Sequence, residues 1–303
     1  MSPRSSRSWP LAGLAALVVL NVVLIGLLVL RPAPAVDEEE RTVGSPTPEA
    51  TEAPPAKQEV EPLSPPDGSA SAGRTERLVV NADATTAWRA TVGQCGSPGT
   101  LERTVDGGQT WEPLPSDLGP VSRLRVLGPQ SLVMIGGAEE CTPTYLRSSD
   151  AGSSWTPAGE YLAGSWYLDP ADPGTLAGPR GAAPAPCAAM DLAALDTSDA
   201  AVLCAGGTLT LTVDGGASWA EVPAPVTATA IGTTDAGYVL AGSHGACGDA
   251  VAGARTGPDG TAQGEPTCAV AGTGPLAVAG TAGALWLWAG DQVAVSTDGG
   301  QSW

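Results

Sequence analysis

The stretch "VSTDGGQSW", residues 295–303, repeats a string met three times before it: "RTVDGGQTW" at 103–111, "RSSDAGSSW" at 147–155 and "LTVDGGASW" at 211–219. Its aspartates, Asp106, Asp150, Asp214 and Asp298, are 44, 64 and 84 residues apart. The last gap is about twice a 42-residue unit, so a decayed copy is expected inside it. "RTGPDGTAQG" at 255–264 supplies one, with Asp259 as its acid and Gly264 where the Trp should be. The spacings then read 44, 64, 45 and 39, with about twenty extra residues in the third unit. A period near 40–45 residues made of short strands is the signature of a propeller or a similar array.

Each unit repeats more than the string. Ahead of it lies an apolar run closing on glycine, as in "TTAWRATVG", "PQSLVMIGG", "DAAVLCAGG", "AGYVLAG" and "GALWLWAG". Ahead of that lies another, as in "ERLVVNA", "SRLRVLG" and "PLAVAGT". These are β-rich runs bounded by turn residues. Each unit therefore reads as strand A, strand B, strand C running into the string, and strand D after the Trp. Within the string, the Asp can accept hydrogen bonds from amides of the following turn. The glycines permit positive φ, the hydroxyl residue before the Trp can cap the same turn, and the Trp can fill the gap between neighbouring sheets.

The four strings resemble the Asp-box repeat of bacterial neuraminidases, S/T-x-D-x-G-x-S/T-W. Each keeps the Asp, the glycine two places on (Gly108, Gly152, Gly216, Gly300) and the Trp (Trp111, Trp155, Trp219, Trp303). The resemblance implies an all-β fold, an Asp-box propeller of five or six four-stranded blades over residues 73–303, with the boxes at the C–D turns. It implies no activity, since the repeat occurs in sialidases, sortilin-type receptors, some glucanases and photosystem II assembly-factor propellers. No residues follow Trp303 here to form the last strand D, and "GRTERLVV" at 73–80 is expected to supply it, removing an exposed sheet edge.

On that fold the six cysteines map to one face. Cys95, Cys141, Cys204 and Cys247 lie 11, 9, 10 and 12 residues before a box Asp, in B–C loops, while Cys187 and Cys268 precede A strands. An even count favours disulfides in an oxidising compartment. Of fifteen pairings this placement favours Cys95–Cys141, Cys187–Cys204 and Cys247–Cys268. That loop face is the expected ligand face. The insertion "YLAGSWYLDPADPGTLAGPRGAAPAPC" at 161–187 brings Tyr161, Trp166, Tyr167, Asp169, Asp172 and Arg180 to it as candidate binding residues. With no CxxC and His244 as the sole histidine, no metal or cofactor is expected.

The N-terminus predicts a membrane anchor. Arg4 and Arg7, in a short cytoplasmic segment 1–10, precede twenty apolar residues, 11–30, broken by Asn21. About 20 residues suffice to cross the hydrocarbon core. Cationic residues before the run and "DEEE" at 37–40 after it place the propeller outside the cell; cleavage near Ala33-Pro34-Ala35 would instead make the protein secreted. Residues 31–72, rich in Pro, Glu, Ser and Thr, read as a disordered acidic linker.

Charge narrows the function further. The chain carries a net charge of −18, and residues 73–303 hold twenty-three acids against nine arginines. Such a surface is unsuited to nucleic acid. A catalytic set is not evident either. Glycosidases need two carboxyl groups across the bond, or in sialidases a tyrosine nucleophile. The sialidase family's Phe/Tyr-Arg-Ile-Pro motif is missing, and the chain contains no phenylalanine. The expectation is a membrane-anchored, non-catalytic binding or scaffold module for an envelope protein or a glycan. The alternatives are a divergent glycoside hydrolase and a membrane-complex assembly factor.

Overall fold

The computed structural model describes residues 74–272, 274–281 and 283–303. The expected cytoplasmic segment, anchor and linker, residues 1–72, lie outside the described residues. Among the described residues no helix is long and apolar enough to cross a membrane.

Six antiparallel sheets follow one another along the chain, forming a six-bladed propeller. Blade 1 holds β1 (Arg77–Asn81) and β2 (Ala87–Thr91), a ribbon of β3 (Gly93–Gln94) and β4 (Ser97–Pro98), then β5 (Leu101–Thr104) and β6 (Glu112–Leu114). Blade 2 holds β7 (Val121–Gly128), β8 (Ser131–Gly137), β9 (Pro143–Ser148) and β10 (Thr156–Pro157). Blade 3 is β11 (Tyr167–Leu168), β12 (Thr175–Gly178) and β13 (Gly181–Pro184). Blade 4 is β14 (Ala189–Ala194), β15 (Ala200–Cys204), β16 (Leu209–Thr212) and β17 (Ala220–Val222). Blade 5 is β18 (Thr227–Thr234), β19 (Gly237–Ser243), β20 (Ala250–Thr256) and β21 (Thr267–Ala271). Blade 6 is β22 (Leu276–Gly280), β23 (Leu285–Ala289) and β24 (Gln292–Ser296).

The burial pattern explains the ring. Second strands such as β15 and β23 are buried at every residue, whereas the outer strands β6, β10, β13 and β17 are almost wholly exposed. A strand with a sheet against each of its faces reads as a continuous apolar run rather than an alternation. A separate apolar cluster fills each of the six gaps between blades. The smallest lies between blades 2 and 3, where Val133, Ile135, Tyr167 and Ala177 are buried.

Three expectations need correction. The extra residues of the third unit are not an insertion in a blade: they build blade 3 itself, which makes the count six. Among the described residues, blades 3 and 6 have three strands rather than four. Residues 77–81 pair with β2 as the inner strand of blade 1 and do not complete blade 6. The ring is closed by side chains instead. Trp286 is fully buried between blades 6 and 1, meets Trp111 edge-on at 6.3 Å and donates its Nε1 hydrogen to Asp83 O at 2.9 Å. Arg89 lies over Trp111 and Trp288 at 4.2 and 4.9 Å, and Arg77 over Trp288 at 4.3 Å.

The boxes sit at the C–D turns, all on one face. Thr110 donates amide and hydroxyl to the two oxygens of Asp106 at 2.9 and 2.6 Å, and Ser154, Ser218 and Ser302 do the same to Asp150, Asp214 and Asp298. These bonds, the hydroxyl's foremost, hold the carboxyls low, Asp106 and Asp150 to about 2. Their contribution to stability is present above the ordinary Asp range and is lost as pH falls through about 2. The first hydroxyl of each box carries a role that its sequence position did not disclose. Thr104, Ser148, Thr212 and Ser296 are buried, donate to the box Asp and accept from the box glycine amide. The box tryptophans are only half-buried; the fully buried ones are Trp88 and Trp286. Gly152, at φ +92°, disfavours any side chain, and a Cβ there would lie 2.8 Å from Leu114 Cδ1 of the preceding blade and push that methyl aside.

The decayed box is shifted by one residue from its expected alignment. Gly260 has φ +82° and abuts Val222 and Leu211 of blade 4, as box glycines do, so Pro258 stands where the Asp belongs and Gln263 where the Trp belongs. Asp259 brackets Thr261 instead, and the buried Thr256 hydroxyl is left without a partner.

The disulfides lie on the opposite face, with Cα–Cα distances of 5.2, 5.8 and 5.3 Å. Cys95–Cys141 joins the ribbon of blade 1 to blade 2; Cys187–Cys204 ties the segment before β14 to the end of β15, and Cys247–Cys268 ties the β19–β20 loop to β21, so Cys204 and Cys268 lie in strands rather than in the expected loops. Closing loops of 46, 17 and 21 residues contributes roughly 3–4 kcal/mol each in the chain-entropy account.

Two expectations follow. Thr212→Val, which removes three hydrogen bonds, should lower unfolding free energy by about 1–2 kcal/mol, while Thr256→Val, which removes none, should be neutral or stabilising in the same urea titration. Trp286→Ala should cost about 3–5 kcal/mol by opening a cavity at the ring closure.

Candidate functional site

The inner strands surround a central channel of about 540 Å³. Its end on the disulfide face is crossed by the chain entering blade 1. Thr75 N donates to Met190 O of blade 4 at 3.0 Å, and Arg74 Nη2 to Asp169 O of blade 3 at 3.3 Å, before the chain pairs into β1. Beneath this strap lies Asp191, 8% exposed, accepting from Leu192 N at 2.8 Å and Ile231 N at 3.4 Å. Burial, partly offset by those bonds and by Arg74, pushes its carboxyl up to about 6.

Toward the box face the channel opens sideways into a notch of about 280 Å³ between blades 2 and 3. The notch exists because blade 3 has no strand in the A position. Trp166, just before β11, packs beside Gly178 and the box glycine Gly216, so β11 starts at the box face. Inner strands elsewhere end at that face, so β11 runs the other way and occupies the B position. The blade 2 surface that an A strand would cover is left bare. On β7 it carries Arg123, Arg125 and Leu127 at alternate positions, which in a strand project to one face. Leu127 is 48% exposed.

Arg123 spans the vacancy. Its Nη1 donates to Trp166 O at 2.8 Å and its Nη2 to Ala194 O at 3.0 Å, linking blade 2 to blades 3 and 4. Burial first, then the like charge of Arg125, lowers its pKa to about 10, so it stays charged at neutral pH. Tyr145 borders the notch and meets Tyr161 at 5.9 Å; Arg147 lies over the Tyr161 ring at 5.1 Å.

The six candidate residues of 161–187 do not form one site. Trp166 and Tyr167 are core residues, 4% and 9% exposed, and Trp166 packs edge-on against Trp219. Their burial follows from the segment's being a blade rather than a loop. Asp169 and Asp172 bracket the β11–β12 turn on the disulfide face through Ala171 N and Gly174 N. Arg180 lies in the two-residue turn between β12 and β13 at the box face. Tyr161 alone stands exposed beside the notch. The residues missed were Arg123 and Arg125, and the available signal was "RLRVL" at 123–127, which puts two arginines at alternate positions of an A strand that carries at most one charged residue in other units.

The channel acids Asp191, in β14, and Asp196, in the turn that follows it, are about 16 Å apart at 3.3 Å per residue, beyond the roughly 5–9.5 Å of a glycosidase pair. Asp199 lies in the same turn as Asp196, and burial followed by the charge of Asp196 raises its pKa. The Asp196 carboxylate already accepts from Ser198 N and Asp199 N at 2.6 and 2.8 Å.

No protein-family model and no curated protein matches the chain. Solved structures share the propeller fold. A YCF48 structure described as bound to D1 peptide is 22% identical over 76% of this chain and 82% of its own, with a TM-score of 0.40. The GH74 enzyme of Niastella koreensis is 17% identical over 73% of this chain, with a TM-score of 0.38, and the chain spans 36% of that enzyme's length. A mutant of the Aleuria aurantia lectin in complex with alpha-methyl-L-fucoside is 10% identical over 74% of this chain and 94% of its own, with a TM-score of 0.43. These likenesses concern the fold alone.

Asp191 gives a pH signature. Its folded pKa is raised above the unfolded value of about 3.9, so its contribution is fully present below that value and is lost as pH rises through about 6. Asp191→Asn should be more stable than the parent by roughly 2 kcal/mol at pH 7.5, with most of the gain gone at pH 4.5, by urea unfolding at both pH values.

Proposed function

We propose that this chain is a non-catalytic binding propeller that takes a protein partner at the notch between blades 2 and 3. The observation that carries the reading is the uncovered inner surface of blade 2. Leu127 is 48% exposed there, beside two arginines on a strand whose counterparts elsewhere are covered, and Tyr161, equally exposed, stacks on Tyr145 at the notch's border. A surface that combines an exposed aromatic, an aliphatic side chain and arginine matches the composition of protein-binding hot spots. The proposal moves the ligand from the disulfide face, where a strap crosses the channel, to the box face. In the same reading residues 11–30 anchor the protein in a membrane with the propeller outside. Three disulfides support an oxidising location. A glycoside hydrolase is the second reading because the 540 Å³ channel has room for a sugar, but Asp191 and Asp196 are too far apart for a glycosidase pair and both already accept backbone hydrogen bonds.

The test is capture from solubilised envelope by the full chain in detergent, comparing the parent with Leu127→Asp/Tyr161→Ala. One polypeptide held near stoichiometrically by the parent and lost from the variant is expected. Equal retention by both, or sugar release from envelope glycans, would overturn the proposal.

A further inference from the structure

A guanidinium set into a protein wall ordinarily has a carboxylate beside it, because desolvating a charge is costly without an opposite one. Arg123 has none. Its partners are two backbone carbonyls, and the charge that acts on it most is that of Arg125, two residues along the same strand face. The ion pairs among the described residues are Arg89–Glu102 at 2.7 Å and Arg103–Glu112 at 3.2 Å, both in blade 1. Arg125 takes part in neither and in no hydrogen bond among the described residues. Across the notch, Asp196 spends its carboxylate on the amides of its own turn, and Arg125 is the weakest of the influences on its acidity. Two like charges thus face a cavity, without a paired carboxylate, in a chain whose net charge is −18.

The remaining walls restrict what fits. Leu127, Val133 and Ile135 make one side apolar, while Tyr145, Ser165 and Thr197 carry hydroxyls at the rim. No strand lies inside β11, so the opening has the place and direction of a missing strand. At about 280 Å³ the notch falls just below the roughly 300 Å³ at which small-molecule pockets begin, which suits one anionic group and its neighbouring residues better than an oligosaccharide. Arginine pairs recognise planar carboxylates through parallel N–H donors.

We propose that the notch is a carboxylate-binding site, in which Arg123 and Arg125 receive a carboxylate carried by an extended polypeptide lying where blade 3 lacks its inner strand. This rests on the binding reading above and gives the partner its chemistry. The carboxylate is either a chain terminus or an acidic side chain, and the probes separate the two.

The experiment titrates the full chain, in uncharged detergent, with N-acetyl-trialanine as the free acid, the same tripeptide as its amide, and N-acetyl-Ala-Glu-Ala amide, by calorimetry. The free acid or the Glu peptide should bind at least tenfold more tightly than trialanine amide, and whichever of the two binds better identifies the source. Arg125→Gln should weaken that binding at least tenfold with no loss of melting temperature, since Arg125 holds nothing in place and its charge repels that of Arg123. Arg123→Gln should weaken it too, but it also frees the carbonyls of Trp166 and Ala194, so Arg125→Gln decides. Equal binding of acid and amide, or unchanged binding in Arg125→Gln, would overturn the site. Inorganic phosphate binding more tightly than either carboxylate would overturn the carboxylate assignment. A captured partner retained equally by Arg125→Gln would remove this site while leaving the binding module. A bound tripeptide acid with no partner captured would do the reverse.

Discussion

A sheet that is apolar on both faces must have a neighbour on each, and the rest of this structure follows from that constraint. An open stack of such sheets would leave two greasy ends, and a stack can avoid ends only by closing on itself. Closure here relies on side chains. Trp286, Trp288 and Trp111 fill the gap between the last and first blades, and Arg77 and Arg89 lie over the rings. Among the described residues no strand joins blade 6 to blade 1, so ring stability at that gap depends on aromatic packing more than on backbone hydrogen bonds.

The boxes turn stacking into a fixed register. Each bracket of hydroxyl, carboxylate and amide locks a C–D turn, and its main chain reaches the A–B turn of the same blade, as from Gly107 N to Thr85 O and Gly215 N to Ser198 O. The box glycine then abuts the preceding blade, so one motif sets a turn, ties two turns and spaces two sheets. Blade 5 keeps its place with a broken bracket, which shows that packing carries the blade and the bracket trims it. Blade 3, with no box, has the smallest cluster on its blade 2 side.

The notch arises at that weakest junction. Arg123 replaces a strand's worth of backbone hydrogen bonding with two donors to Trp166 O and Ala194 O. It holds the ring together across the vacancy while leaving an opening at its side. In the proposed site, binding and stability share Arg123, and Arg125, which makes no hydrogen bond among the described residues, is the position at which the two can be separated.

The sequence by itself determined what depends on neighbours along the chain. The boxes were legible because the bonds that bracket each Asp span four residues or fewer, and the period followed from their spacing. The cysteines were read onto loops from their distance to the boxes, but Cys204 ends β15 and Cys268 lies within β21. The buried role of Thr104 and its counterparts was written in the motif but needed the sheet to show which side of the turn faces inward. Blade 3 was read as an insertion because it lacks a box and its outer strand, "GAAP", carries no apolar alternation. The placement of Trp166 and Tyr167 in the core, and of Arg123 against carbonyls 43 and 71 residues away, was decided only by tertiary structure. Contacts between blades depend on which sheet lies next in the ring, and no local pattern records a strand that is missing.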